Sequence, residues 1–169
     1  MEQALDYCEP CDINVGIAGY HISRSPNRIV TLGLGSCVGI CIYDPHPKVG
    51  GLVHIMLPDS TQFHDTGKPG KFADIGIPLL VEEILREGGR PARLVAKLAG
   101  GAQMFSGNDK TSALDIGRRN IEAARQALAS LNVRIAAEDV GGSQGRTVFF
   151  DLGSGQVTIR TMGNKYKVI

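Results

Sequence analysis

Two apolar runs, Val38 to Tyr43 and Val49 to Leu57, flank the segment Asp44-Pro-His-Pro-Lys48. Each run has the length of a strand and is rich in Val, Ile and Leu. The segment between them has the composition of a turn, so the three together read as a β-hairpin. Positions 37 and 54 are symmetric about that turn. Cross-strand neighbours in an antiparallel pair have Cβ atoms about 4.5–5.5 Å apart, so a plain register sets Cys37 within reach of His54. Positions 31 and 37 are symmetric about Leu34 in Gly33-Leu34-Gly35, so a tight glycine turn returns Thr31 beside the same Cys. A nucleophile beside a base beside an orienting hydroxyl is an arrangement that activates a thiol.

The remaining chain surrounds this hairpin with further short elements. Ile13 to Ala18 and Arg28 to Leu32 are β-like runs, so a predominantly antiparallel sheet opens the chain. Phe72, Ile75, Leu79, Leu80, Ile84 and Leu85 recur at helical spacing, and Gly88-Gly89 ends the run. Pro78 belongs early in this helix or at its start, because a mid-helix proline costs about 3 kcal/mol. Ala92 to Leu98 reads as a strand, Gly100 to Phe105 as a glycine-permissive loop, and Asp115 to Leu131 as a second helix. Val133 to Ala137, Thr147 to Asp151 and Val157 to Thr161 read as strands. The order predicts an α+β fold: a single layered domain over residues 13–169, a mainly antiparallel β-sheet packed with two main helices. Residues 1–12 lack a period and read as a loose leader.

Composition excludes several classes of function. With 43% hydrophobic residues over 169 positions the chain builds a core, and 18 basic against 17 acidic residues leave no electrostatic grip on nucleic acid or anionic lipid. The absence of Trp and the 5% aromatic content argue against a base-stacking platform. No secretory signal pattern and no run of about 18 apolar residues is present, which predicts a cytoplasmic protein with no membrane insertion. The four cysteines, Cys8, Cys11, Cys37 and Cys41, are then reduced thiols.

Cys37 is the main candidate among them. A buried small hydrophobe is the ordinary role of a free Cys. Here, however, Gly33-Leu-Gly-Ser36 precedes it, and glycines let backbone N–H groups approach and hold an oxyanion. Cys41, four residues along the same run, lacks that approach and reads as structural. His21, His46 and His64 sit in polar or Pro-flanked contexts and read as solvent-facing. A zinc held by Cys8, Cys11, Cys37 and Cys41 is disfavoured, since the ends of a 37–41 strand lie about 13 Å apart and a tetrahedral ion needs its sulfurs within about 4 Å of one another. Gly100-Gly101 and Gly141-Gly142 match no phosphate-binding fingerprint.

The blocks Thr31-Leu-Gly-Leu-Gly-Ser-Cys-Val38, Tyr43-Asp44, Gly50-Gly51 and His54-Ile-Met-Leu-Pro58 closely resemble those of the CheD family of chemoreceptor glutamine deamidases. Gly100-Gly-Ala-Gln-Met-Phe105, Ile116-Gly-Arg-Arg-Asn120 and Glu138 to Thr147 are similar to further blocks of that family, in order, from about Asn14 onward. The leader is not part of the pattern. The resemblance implies a catalytic Cys37, His54 and Thr31. It also implies protein substrates, glutamines on the cytoplasmic bundle of methyl-accepting chemotaxis receptors, and a partner, the phosphatase CheC.

On this reading His54 takes the thiol proton, Cys37 attacks the carboxamide, and backbone around Gly35 and Ser36 holds the oxyanion. Thr31 orients His54, and no metal or organic cofactor is required. Met104 and Phe105 border the substrate or partner surface. A Cys37 thiolate paired with His54 at rest is expected, reacting with alkylating agents down to acid pH. The residues alone leave open a thiol protease, which shares the chemistry, and a binding module that docks CheC or a receptor.

Overall fold

The computed structural model describes residues 9–104 and 115–169. Strands β4 (Val38–Asp44) and β5 (Val49–Ile55) form the hairpin, closed by the pair Asp44↔Val49. The fully buried Asp44 carboxylate fixes its turn, accepting from the His46 N–H at 3.0 Å, the Arg90 N–H at 2.8 Å and Arg93 Nε at 2.9 Å.

Around the hairpin lie β1 (Asp12–Asn14), β2 (Tyr20–Arg24), β3 (Arg28–Leu34), α1 (Ala73–Arg86), β6 (Val95–Gly100), α2 (Ile116–Ser130), β7 (Arg134–Val140), β8 (Arg146–Asp151), β9 (Val157–Thr161) and β10 (Lys165–Val168). They form two five-stranded sheets, an outer one ordered β1-β3-β8-β9-β10 and a central one ordered β2-β5-β4-β6-β7. Among these ten strands all pairings are antiparallel except β1 with β3 and β6 with β7. The fold is α+β, in three layers: outer sheet, central sheet, helices.

Every residue of β4 and β5 is buried because the central sheet is covered on both faces. Val38, Ile40, Ile42, Val53 and Ile55 pack against Ile77, Leu80 and Ile84 of α1 and Ile121 and Leu128 of α2. Cys41, Tyr43 and Leu52 face the outer sheet, against Ile29, Leu34, Val148 and Phe150. Each such Ile or Leu contributes about 1.5–3 kcal/mol relative to exposure. Exposed ion pairs such as Arg86 with Glu82 contribute about 0–1 kcal/mol each, so packing dominates.

Several boundaries differ from the sequence reading. β2 and β10 carry the weakly apolar segments Tyr-His-Ile-Ser-Arg and Lys-Tyr-Lys-Val, whose patterns do not announce a strand; β2 forms by pairing with β5, and β10 by pairing with β9. Contact with the sheet begins before Ile13: the Arg28 N–H donates to the Cys11 carbonyl at 3.0 Å, and Asp12 opens β1. Helix α1 starts at Ala73, so Pro78 occupies its sixth position rather than its start and removes only the N–H that would reach the Asp74 carbonyl. No helix among the described residues is long and apolar enough to cross a membrane.

Candidate active site

Residues 35–37 carry the chain from the outer sheet at Leu34 to the central sheet at Val38, and Cys37 lies half-buried on that crossover. Its backbone is gripped at every carbonyl. Gly35 O accepts from the Ala102 N–H at 2.8 Å, Ser36 O from Asn120 Nδ2 at 2.9 Å, and Cys37 O from the Gly101 N–H at 2.7 Å. The paired glycines are therefore a cradle for this crossover. Gly100 has φ +113°, and a Cβ there would stand 2.3 Å from the Cys37 carbonyl oxygen. Within each planar peptide the N–H points opposite to the C=O. The Cys37 N–H also lies within hydrogen-bonding reach of its own sulfur, where it favours the thiolate.

His54 is fully buried in β5 and fixed by its backbone and its ring. Its N–H donates to Gly19 O at 2.9 Å and its C=O accepts from the Ala18 N–H at 3.0 Å. Its Nδ1 lies 2.8 Å from Thr31 Oγ1, which also lies 2.7 Å from the Val15 carbonyl oxygen. A carbonyl only accepts, so the single Thr31 hydroxyl proton goes to Val15 O. His54 Nδ1 must then carry the ring proton and donate it to Thr31. That tautomer, deduced from the hydrogen-bond network, leaves Nε2 with a free lone pair. Nε2 is buried and has no hydrogen-bond partner among the described residues.

The observed register corrects the sequence reading of Cys37 and His54. His54 lies opposite Gly39, and Val38 opposite Ile55. Cys37 therefore precedes the strand and stands diagonally from His54, one full pleat removed on the same face. Diagonal neighbours are about 7–8 Å apart, and no hydrogen bond joins the thiol to Nε2 in this structure. The four-residue turn at 45–48, closed by Asp44↔Val49, sets this offset. Thr31 is corrected too. It reaches His54 across the space between the sheets rather than by returning beside Cys37. Gly39 makes room for it, since a Cβ there would lie 3.2 Å from Leu34 Cδ1 and 3.7 Å from Thr31 Cγ2.

The charge states follow from burial and correct a second expectation. Burial pushes the Cys37 thiol above its ordinary value, although its own N–H opposes the shift. Burial also pulls His54 down to about 4. At neutral pH the resting pair is thiol and neutral imidazole, not an ion pair, because burial is the largest influence on both groups and favours the uncharged form of each. The structure therefore predicts Cys37 alkylation that rises with pH like that of an ordinary thiol or later, read by mass spectrometry across a pH series.

His54 also makes stability pH-dependent. Its folded value lies below the unfolded value near 6.5, so the unfolded chain binds the extra proton between these limits. Stability is full above about pH 6.5 and falls by on the order of 3 kcal/mol as pH drops toward 4. Denaturant melts of His54→Gln should lack this slope; an unchanged slope contradicts the assignment. Thr31→Val, which keeps shape but leaves Nδ1 without its acceptor, is expected to destabilise by about 1–3 kcal/mol. By freeing the wrong tautomer it should also lower turnover at least about tenfold.

Met104 is half-exposed and lies over Gly35, its Cγ 3.2 Å from where a Cβ would stand, so it borders the Cys37 crossover. Phe105, paired with it in the sequence reading, and Cys8 lie outside the described residues. Cys41 is buried between the sheets, and burial raises its thiol far above the ordinary range. His21, His46 and His64 are exposed. No group of three or more His, Cys, Asp or Glu able to hold a metal occurs among the described residues.

A family model described as CheD chemotactic sensory transduction matches residues 56–161. Over 158 residues the chain is 61% identical to the "Probable chemoreceptor glutamine deamidase CheD" of Desulforamulus reducens, covering 94% of this chain and 95% of the relative. The chain belongs to the CheD family. The Moorella thermoacetica relative of the same printed name is 53% identical over 162 residues, 95% of this chain and 97% of its own. The Clostridium botulinum relative (strain Eklund 17B) is 50% identical over 155 residues, 92% and 96%. The family-model match contains Gly100, Gly101 and Asn120, while Thr31, Cys37 and His54 precede it.

Three parts of the site escaped the sequence reading: the Val15 carbonyl, the Gly100-Gly101 cradle and Asn120. A backbone carbonyl carries no sequence signal. Asn120 stood inside a family-like block with nothing to tell a buried helical amide from an exposed one.

Proposed function

We propose that the chain deamidates glutamine side chains of methyl-accepting chemotaxis receptors in the cytoplasm, using Cys37 as nucleophile, His54 as base and Thr31 as the group that sets the His54 tautomer. The observation that carries this reading is the buried Nε2 of His54, without a hydrogen-bond partner among the described residues, freed by the Thr31–Val15 relay and on the same face as the Cys37 thiol. The relatives' printed names, chemoreceptor glutamine deamidase, supply the substrate class.

In the substrate complex Nε2 takes the thiol proton as sulfur bonds to the carboxamide carbon. The oxygen gains the charge and is held by the Cys37 N–H. Imidazolium then gives its proton to the departing ammonia, leaving a thioester. His54 next deprotonates water, which attacks the thioester; glutamate forms, and the proton returns to sulfur. Apo hydrogen bonds at such sites are often long and close only with substrate, so the diagonal offset accords with this order. The neutral resting pair supports it further, since the base is unprotonated and ready at neutral pH. The family resemblance adds CheC as a docking partner, with Met104 on the exposed rim.

Incubation with receptor cytoplasmic fragments, followed by peptide mass spectrometry, tests the reading. Amide-to-acid conversion at glutamine with ammonia release is the expected result. Chain cleavage marks a protease, and an unmodified fragment retained in a complex marks a binding module. Either outcome overturns the proposal.

A further inference from the structure

We propose that Asn120 is a positioning residue of this site: its side-chain amide holds the Ser36–Cys37 peptide so that the Cys37 N–H addresses the sulfur and the oxyanion formed beside it, and it ties that peptide to the strand bearing His54. The oxyanion half of this inference rests on the deamidase reading; the aim of the N–H does not.

Asn120 is fully buried in α2, on a face otherwise made of Gly117, Ile121, Ala124 and Leu128. Asn is a poor helix former and is mostly exposed in folded proteins. Both its donors are used, and on two different segments: Nδ2 donates to Ser36 O and to Met56 O, each at 2.9 Å. Its Oδ1 is buried and accepts nothing from the described residues. An apolar residue would suit this helix face but would leave the Ser36 and Met56 carbonyls without their donor, so the amide serves the two segments it joins rather than the helix that carries it.

The geometry says what the amide does. Ser36 C=O and Cys37 N–H belong to one planar peptide and point in opposite directions. Donation to the carbonyl therefore turns and polarises the N–H on the other side. The neighbouring carbonyls, Gly35 and Cys37, are held by the backbone of Ala102 and Gly101. Of the three, only the Ser36–Cys37 peptide is oriented by a side chain among the described residues. The second contact has a separate consequence. Met56 follows His54 by two residues, and the β4–β5 ladder ends at Val38↔Ile55. Where strand pairing stops, Asn120 bridges the two segments and holds the Cys37 crossover beside the chain that leaves His54.

Asn120→Ala and Asn120→Asp in the full chain test this, with thermal midpoint, the pH profile of Cys37 alkylation by iodoacetamide, and kcat and KM on a receptor fragment. In folded Asn120→Ala the alkylation midpoint should rise by about one pH unit, because the N–H no longer steadies the thiolate. Turnover should fall by about 10²-fold, as for loss of one oxyanion donor, with KM within about twofold of the parent. Asn120→Asp, neutral in this buried place, keeps one O–H donor and should lie between. A folded Asn120→Ala chain with the parental alkylation profile overturns the proposal. If Asn120→Ala does not fold, the Asp variant carries the same readout. The parent adds an independent one: its Cys37 amide proton resonance must move as the thiol titrates, and an invariant resonance equally overturns the proposal. A parent that releases no ammonia, while Asn120→Ala still shifts the alkylation profile, sinks deamidation and leaves the positioning role standing.

Discussion

Cys37→Ala abolishes ammonia release from receptor fragments, a loss of at least about 10³-fold, while Cys41→Ala retains most of it. The two thiols lie four residues apart, yet the fold gives them opposite surroundings. Cys37 sits on the crossover between sheets, half-exposed, with its N–H facing the sulfur and the His54 ring on the same face. Cys41 is enclosed between Tyr43, Leu52 and the outer sheet, where no substrate reaches it. Cys41→Ala costs stability of about 1 kcal/mol, the ordinary size for a small core deletion, and leaves the crossover in place. The comparison is read at equal folded fractions, checked by circular dichroism. Equal loss in both variants would exclude Cys37 as the sole nucleophile.

His54→Gln lowers kcat by about 10²–10⁴-fold, the range for removal of a general base. The pH profile of the parent makes the test specific. Burial holds His54 near 4, so the base is competent throughout the neutral range. Activity falls as pH drops through about 4, since protonation of Nε2 removes the lone pair that accepts the thiol proton. An unperturbed imidazole would give that limb near pH 6.5. In His54→Gln the limb disappears along with most of the rate. An acid limb near 6.5 in the parent, or one that persists in the variant, assigns the base to another group.

The hairpin, the two helices and the α+β class were legible because each rests on local composition and period. Val38 to Tyr43 and Val49 to Leu57 needed no knowledge of what covers them to read as strands. β2 and β10 were not legible, since polar segments such as Tyr20 to Arg24 become strands only when β5 offers an unpaired edge. Pro78 was expected early in the helix or at its start and sits at the sixth position, inside the helix, because packing of α1 on the central sheet outweighs one lost hydrogen bond.

The candidate site divides in the same way. Residue types and spacing were sufficient to single out Cys37, His54 and Thr31, because thiol, imidazole and hydroxyl are recognisable as chemistry wherever they stand. Their relation was decided by the tertiary structure. A four-residue turn shifts the hairpin by one pleat, turning an opposed pair into a diagonal one, and the stacking of two sheets brings Thr31 to His54 from a separate layer. The charge states were decided there too. A pKa responds to the water removed around a group, and what packs around His54 and Cys37 comes from segments distant in sequence: the chain at Val15 and Ala18, the Gly100 cradle and Asn120 of helix α2. The sequence by itself determined which groups are present; only the fold determined their protons, their distances and the peptide that faces the sulfur.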